Sequence, residues 1–133
     1  MKRYCIDSSV FIRILRKKSP ITELFGMLPG TVVTSSICIA ELYEGVFRSK
    51  YKQGSLDQVE KILATISSIF PFSNLEAKTF GELKVALKHQ PIPDLDIQIA
   101  ATCLYHKLTL VTLDMKHFPR VKGLEILDLS KNL

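Results

Sequence analysis

The chain has 133 residues, 47% of them apolar and 23% charged, which suits one domain with its own core and excludes intrinsic disorder. Eighteen Lys and Arg against 13 Asp and Glu leave a net charge of +5. The resulting pI near 9.2 favours an anionic partner such as nucleic acid and weighs against a protein that repels polyanions.

Residues 2–6, KRYCI, read as a short strand. SSVFIRILRKK then places Val10, Phe11, Ile14 and Leu15 along one helical face. Pro20 opens a second short helix, ITELFGML, which Pro29-Gly30 closes as a turn. TVVTS, residues 31–35, is β-branched and predicts a second strand. SSICIAELYEGVFRSK continues as a helix with Ser35 or Ser36 as its N-cap. Gly54-Ser55 reads as a break. Beyond it Leu56, Val59, Ile62, Leu63, Ile66 and Ile69 recur at helical spacing and predict an amphipathic helix over 56–69.

IFPF, residues 69–72, reads as a third strand, placed at an edge because Pro71 has no N–H to donate. NLEAKTFGELKVALKHQ is a helix capped by Ser73 or Asn74. After Pro91 and Pro93, Asp94 is expected to cap DLDIQIAATCLYHK, whose middle is apolar on most faces and therefore buried. LTLVTL, residues 108–113, is almost continuously apolar, as a parallel strand covered on both faces is. LEILDL after Gly123 makes a last strand. Strands alternating with helices predict an α/β fold of three layers, a small parallel sheet of four or five strands flanked by helices. No repeat or linker interrupts it, so residues 1–133 are expected to form a single domain.

Cys5, Cys38 and Cys103 are odd in number, widely spaced and set among apolar neighbours, the pattern of free thiols in a reducing compartment. No apolar run approaches the ~18 residues of a membrane span, and MKRYCID is too short an apolar start for a signal peptide. The expected location is the cytoplasm, away from membranes.

Glu23, Asp57, Glu60, Glu76 and Glu82 fall among lysines and polar groups, on helix faces expected to be exposed. Five other acids stand apart. Asp7 and Asp114 each follow a strand, where an open parallel sheet gathers its functional groups. Asp94 and Asp96 open the most apolar helix, whose first N–H groups face the same crevice. Glu41 lies in the apolar ICIAELY, early in the helix after the second strand.

Each has a plainer reading. Asp7 and Asp94 suit helix caps, Asp96 suits the helix dipole, Asp114 suits a turn, and Glu41 suits a buried ion pair with an arginine. Taken together they suit a single acidic pocket better. Carboxylates crowded there repel one another and need a cation, and an all-oxygen donor set suits Mg2+ or Mn2+. That chemistry is metal-assisted phosphodiester hydrolysis.

No GxSxG accompanies Ser8 or Ser9, and no glycine-rich phosphate loop is present. An aspartyl phosphatase wants a second carboxylate two residues after the first, and position 9 is Ser. The basic runs RILRKK and RSKYK read as solvated faces or as contacts to RNA or a partner, and His117 as a surface or turn residue sooner than a substrate contact.

Three segments, YCIDSSVFI, SSICIAELYEGV and PIPDLDIQIAATCLYHKLTLVTLDMKHFPRVKGLEIL, resemble the PIN-domain family, and its VapC-type toxins in particular. They lie in the family's order across residues 4–128, and the last is the most specific. The resemblance implies an endoribonuclease that uses Mg2+ or Mn2+, with Asp7, Glu41, Asp96 and Asp114 as the catalytic acids. Asp7 and Asp96 would be the metal ligands and Asp94 an accessory acid. It implies an RNA substrate, a VapB-type antitoxin partner and a homodimer, to which the predicted helix 56–69 could offer an apolar face. The family often has a further aspartate where this chain has His117. The alternative is a PIN-like module that binds RNA or protein without catalysis.

Overall fold

Five strands, β1 (Arg3–Ile6), β2 (Thr31–Ser35), β3 (Ile69–Phe70), β4 (Thr109–Thr112) and β5 (Ile126–Asp128), lie side by side in the computed structural model, which describes residues 1–133. All are parallel, in the order β3-β2-β1-β4-β5. From β1 the chain moves outward first to one edge and then to the other. The crevice between the carboxyl ends of β1 and β4 is therefore the topological switch point, where such sheets place their sites. Cys5 aligns with Leu110 and Ile6 with Val111, which brings the residues just after the two strands together.

Six helices connect the strands: α1 (Ser8–Lys17), α2 (Ile21–Met27), α3 (Ser36–Arg48), α4 (Lys52–Leu63), α5 (Asn74–Ala86) and α6 (Asp94–His106). Strand alternation splits the core. Tyr4, Ile6, Val32 and Val111 pack with Val10, Ile14, Leu42, Val46, Val59 and Ile62 of α1, α3 and α4. Cys5, Val33 and Leu110 point the other way, against Ile99 and Cys103 of α6. The expected three layers follow, because every central strand is apolar on both faces. Gly30 is required at the turn into β2, since a Cβ there would lie 2.3 Å from the Lys2 carbonyl oxygen.

The caps resolve to Ser35, whose Oγ accepts from the Cys38 amide, and to Ser73, which forms a reciprocal capping box with Glu76. Three expectations are corrected. Gly54-Ser55 does not break the chain but lies inside α4, which begins at Lys52 and ends at Leu63, short of Ile66 and Ile69. The apolar side of α4 also turns inward: Val59 and Ile62 are buried and Leu56 and Leu63 pack on the core. Glu76 is not on an exposed face; it is 1% exposed.

Candidate active site

Asp7 occupies the N-cap position of α1, but its side chain caps nothing. Oδ2 instead accepts from the hydroxyls of Thr112 on β4, at 2.7 Å, and Ser9, at 2.8 Å. Beside Oδ1 lies the Cys38 thiol, a weak donor at 3.9 Å. The Asp7 amide donates to the Val111 carbonyl at 2.9 Å, which continues the β1–β4 ladder one residue and pins the carboxylate over the sheet edge. The side chain is almost wholly buried. That burial raises its pKa, the Thr112 and Ser9 hydroxyls oppose the rise, and the Asp114 charge adds to it.

Glu41 sits on α3 on the side facing this aspartate. Its one protein donor is the Ser8 hydroxyl, 3.1 Å from Oε1, and no arginine pairs with it. Burial and then the charges of Asp7 and Asp96 push it up to about 7, against the Ser8 bond. Asp96, in the first turn of α6, is pushed up to about 6 by burial and by Asp114 and Asp7, with His117 pulling the other way. Asp114 follows β4, its amide bonded to Thr112 Oγ1 at 2.9 Å. The turn reading of Asp114 is half right: Oδ1 accepts from the amides of Lys116 and His117, which leaves Oδ2 to face the crevice. The charges of the four acids are thus linked around one crevice, each raising the pKa of at least one other or being raised by it, although the group whose ligand atoms all lie within 4.8 Å of one another is Asp96, Asp114 and His117, without Asp7 or Glu41.

Asp94 does not join them. The N-cap of α6 is Pro93, and the Asp94 carboxylate is ion-paired with Lys84 of α5 on the surface. His117 does join them, although its residue type and polar neighbours had suggested a surface or turn residue. Its Nδ1 lies 3.0 Å from Asp96 Oδ2 and 3.2 Å from Asp114 Oδ2. The available signals were the resemblance, which marks this position as one where an aspartate is frequent, and its spacing of three residues from Asp114, which puts both side chains on one side of a tight turn.

Known proteins decide the family. The PIN domain family matches residues 4–124. Ribonuclease VapC2 of Haemophilus influenzae is 31% identical over 127 residues, covering 93% of this chain and 96% of the relative. The chain belongs to the PIN-domain family, in its VapC branch. The tRNA(fMet)-specific endonuclease VapC of Shigella flexneri is 26% identical over 98% of this chain and 100% of its own. Among solved structures, VapBC2 from Rickettsia felis bound to a DNA fragment from its promoter superposes with a TM-score of 0.86. That similarity carries 27% identity and covers 95% of this chain and 98% of the other. The PIN fold expected from the three motifs is the fold present.

The donors present fit a hard divalent cation. Glu41 has a single protein donor, and Asp96 has only His117. Burial first and the neighbouring carboxylates second raise the pKa of both, and a bound cation would oppose that rise. Three of the ligand atoms, from Asp96, Asp114 and His117, lie within 4.8 Å of one another. No helix of the chain is long and apolar enough to cross a membrane.

Proposed function

We propose that this chain is a divalent-metal-dependent endoribonuclease, the toxin of a type II toxin–antitoxin pair, with Asp7, Glu41, Asp96 and Asp114 as its catalytic acids. The observation that carries the reading is the convergence of these carboxylates at the switch point, with Glu41 and Asp96 held near neutral pKa values. Asp7 and Asp96 are assigned as the ligands of Mg2+ or Mn2+. The chemistry supplied by such a cation is Lewis acidity toward the scissile phosphate and activation of water at neutral pH.

The chain's own residues position the rest. Thr112 and Ser9 hold Asp7 Oδ2, so this carboxylate is fixed before substrate arrives. Ser8 holds Glu41 Oε1, which leaves Oε2 to orient the attacking water and take its proton. Arg13 and Arg16 line a hollow of about 380 Å3 together with Ser9 and Asp114. Arg13 Nη1 donates to the Leu133 carbonyl, and the Arg16 guanidinium is assigned to hold a phosphate beside the one being cut. Asp94 is assigned no catalytic part.

The whole activity is assigned to one domain, residues 1–133, acting in the cytoplasm; three free buried thiols agree with a reducing compartment. A VapB-type antitoxin is the proposed protein partner and a homodimer the proposed assembly, both by kinship with VapBC complexes. The test is digestion of a defined RNA with and without Mn2+, with the cut sites mapped. Internal cuts that require the metal are expected. RNA binding without cleavage at any metal concentration would replace this reading with a non-catalytic PIN module.

A further inference from the structure

His117 sits where the family often has another aspartate, and its ring is turned into the pocket rather than out to solvent. It is only partly exposed, and Nδ1 touches Asp96 Oδ2 at 3.0 Å and Asp114 Oδ2 at 3.2 Å. The turn enforces this. Asp114 Oδ1 is occupied by the amides of Lys116 and His117, so only Oδ2 is left facing the imidazole. No protein group is hydrogen-bonded to Nε2 of His117.

We propose that His117 Nδ1 is itself a ligand of the divalent cation, and that it and Asp114 Oδ2 add to the Asp7 and Asp96 assigned above, so that this enzyme has a mixed nitrogen–oxygen metal site. The inference rests on the metal-dependent reading above. The spacing agrees with it. Neighbouring ligands of an octahedral ion, each about 2.1 Å from the metal, are roughly 3.0 Å apart; Nδ1 meets that spacing to both carboxylates, and all three donor atoms lie within 4.8 Å of one another. Without a cation the same contacts serve as hydrogen bonds from Nδ1–H to the two carboxylates. With a cation present the hydrogen resides on Nε2, which is free to face water, and the Nδ1 lone pair is presented to the metal.

An imidazole ligand changes which metal the site prefers. Carboxylates suit Mg2+, whereas imidazole raises affinity for Mn2+ and, further along the series, Co2+. The expected behaviour is a larger preference for Mn2+ or Co2+ over Mg2+ than an all-carboxylate site has.

The experiment uses the full chain loaded with Mn2+ and read by pulsed electron paramagnetic resonance, alongside calorimetric titrations with Mn2+, Co2+ and Mg2+. Directly coordinated nitrogen is expected in the wild type and absent in His117→Asp. In that variant the Co2+ affinity should fall by roughly tenfold or more while Mg2+ affinity holds or rises. His117→Asn, which keeps the side-chain volume closer, should also lose the nitrogen signal. Bound Mn2+ with no nitrogen coupling in the wild type overturns the proposal but leaves the nuclease reading standing, with His117 as a positioning group. No Mn2+ bound at all overturns both.

Discussion

Asp7 and Glu76 are both carboxylates shielded from solvent, 4% and 1% exposed, yet their surroundings differ in kind. Glu76 is saturated with donors. Oε2 accepts from the Ser73 amide at 3.1 Å and its hydroxyl at 2.6 Å, and Oε1 meets His106 Nε2 at 2.8 Å. The His106 ring is packed against Phe70, its centroid 4.5 Å away. Burial alone would raise the pKa of Glu76, but these bonds outweigh it and bring it down to about 2. Asp7 has hydroxyl donors on one oxygen, a thiol near the other and further carboxylates nearby, and its pKa goes up. Burial is common to both. The shortage of donors and cations is what distinguishes the carboxylate proposed for chemistry from one that ties α5 to α6.

The sharpest way to break this contrast is to neutralise one acid of each kind. Asp7→Asn and Asp96→Asn should each lower kcat/KM for RNA cleavage by roughly three orders of magnitude, with an unchanged circular dichroism spectrum. Near-normal cleavage by either purified variant removes that residue from the mechanism. Glu76→Ala should do the reverse. It strands His106 and the α5 cap, costs about 3 kcal/mol in a denaturant titration, and leaves cleavage per folded molecule unaltered. A loss of activity larger than the loss of folded protein would place Glu76 in the site after all.

The two regions should also titrate in opposite directions. Glu41 and Asp96 have folded pKa values raised to about 7 and about 6, so the metal-free protein binds their protons more tightly when folded. Their effect on stability is most favourable below the unfolded values and is lost as pH rises through 6–7. Glu76, lowered to about 2, adds stability above its unfolded value that disappears as pH falls toward 2. Melting temperature against pH, without divalent metal, should therefore sag on both sides. Glu41→Gln should flatten the neutral limb and raise stability at pH 8 by about 1 kcal/mol after solvent screening, or a few degrees. A neutral limb unchanged in this variant would show that the acids do not share a pocket.

The smallest effect is expected at Asp94. Its pair with Lys84 is exposed on both sides, so Asp94→Asn should change neither cleavage nor melting temperature measurably. A tenfold loss of activity would restore it as an accessory acid.

Local pattern and strand alternation were enough to define the sheet and its neighbouring helices and to single out the four acids proposed for the site. The apolar runs YCI and LVT are covered on both faces only in a parallel sheet, and an acid straight after such a strand has nowhere to go but the carboxyl edge. Glu41 was legible because an apolar helix face seldom carries a glutamate without a reason. These inferences use contacts within a few residues or a rule of topology.

What escaped the sequence depended on partners far along the chain. Glu76 looked exposed because lysines surround it in sequence, while its own partner, His106, is 30 residues away. Lys84 drew Asp94 to the surface, and the core held α4 in helix through Gly54 despite its poor propensity. His117 was placed against Asp96 by a turn anchored on Asp114. Sequence by itself determined which residues carry charge, which are apolar and which strands must be parallel. Only tertiary structure decided which charges meet, because the Coulomb and desolvation energies that shift a carboxylate vary with distances that periodicity does not encode.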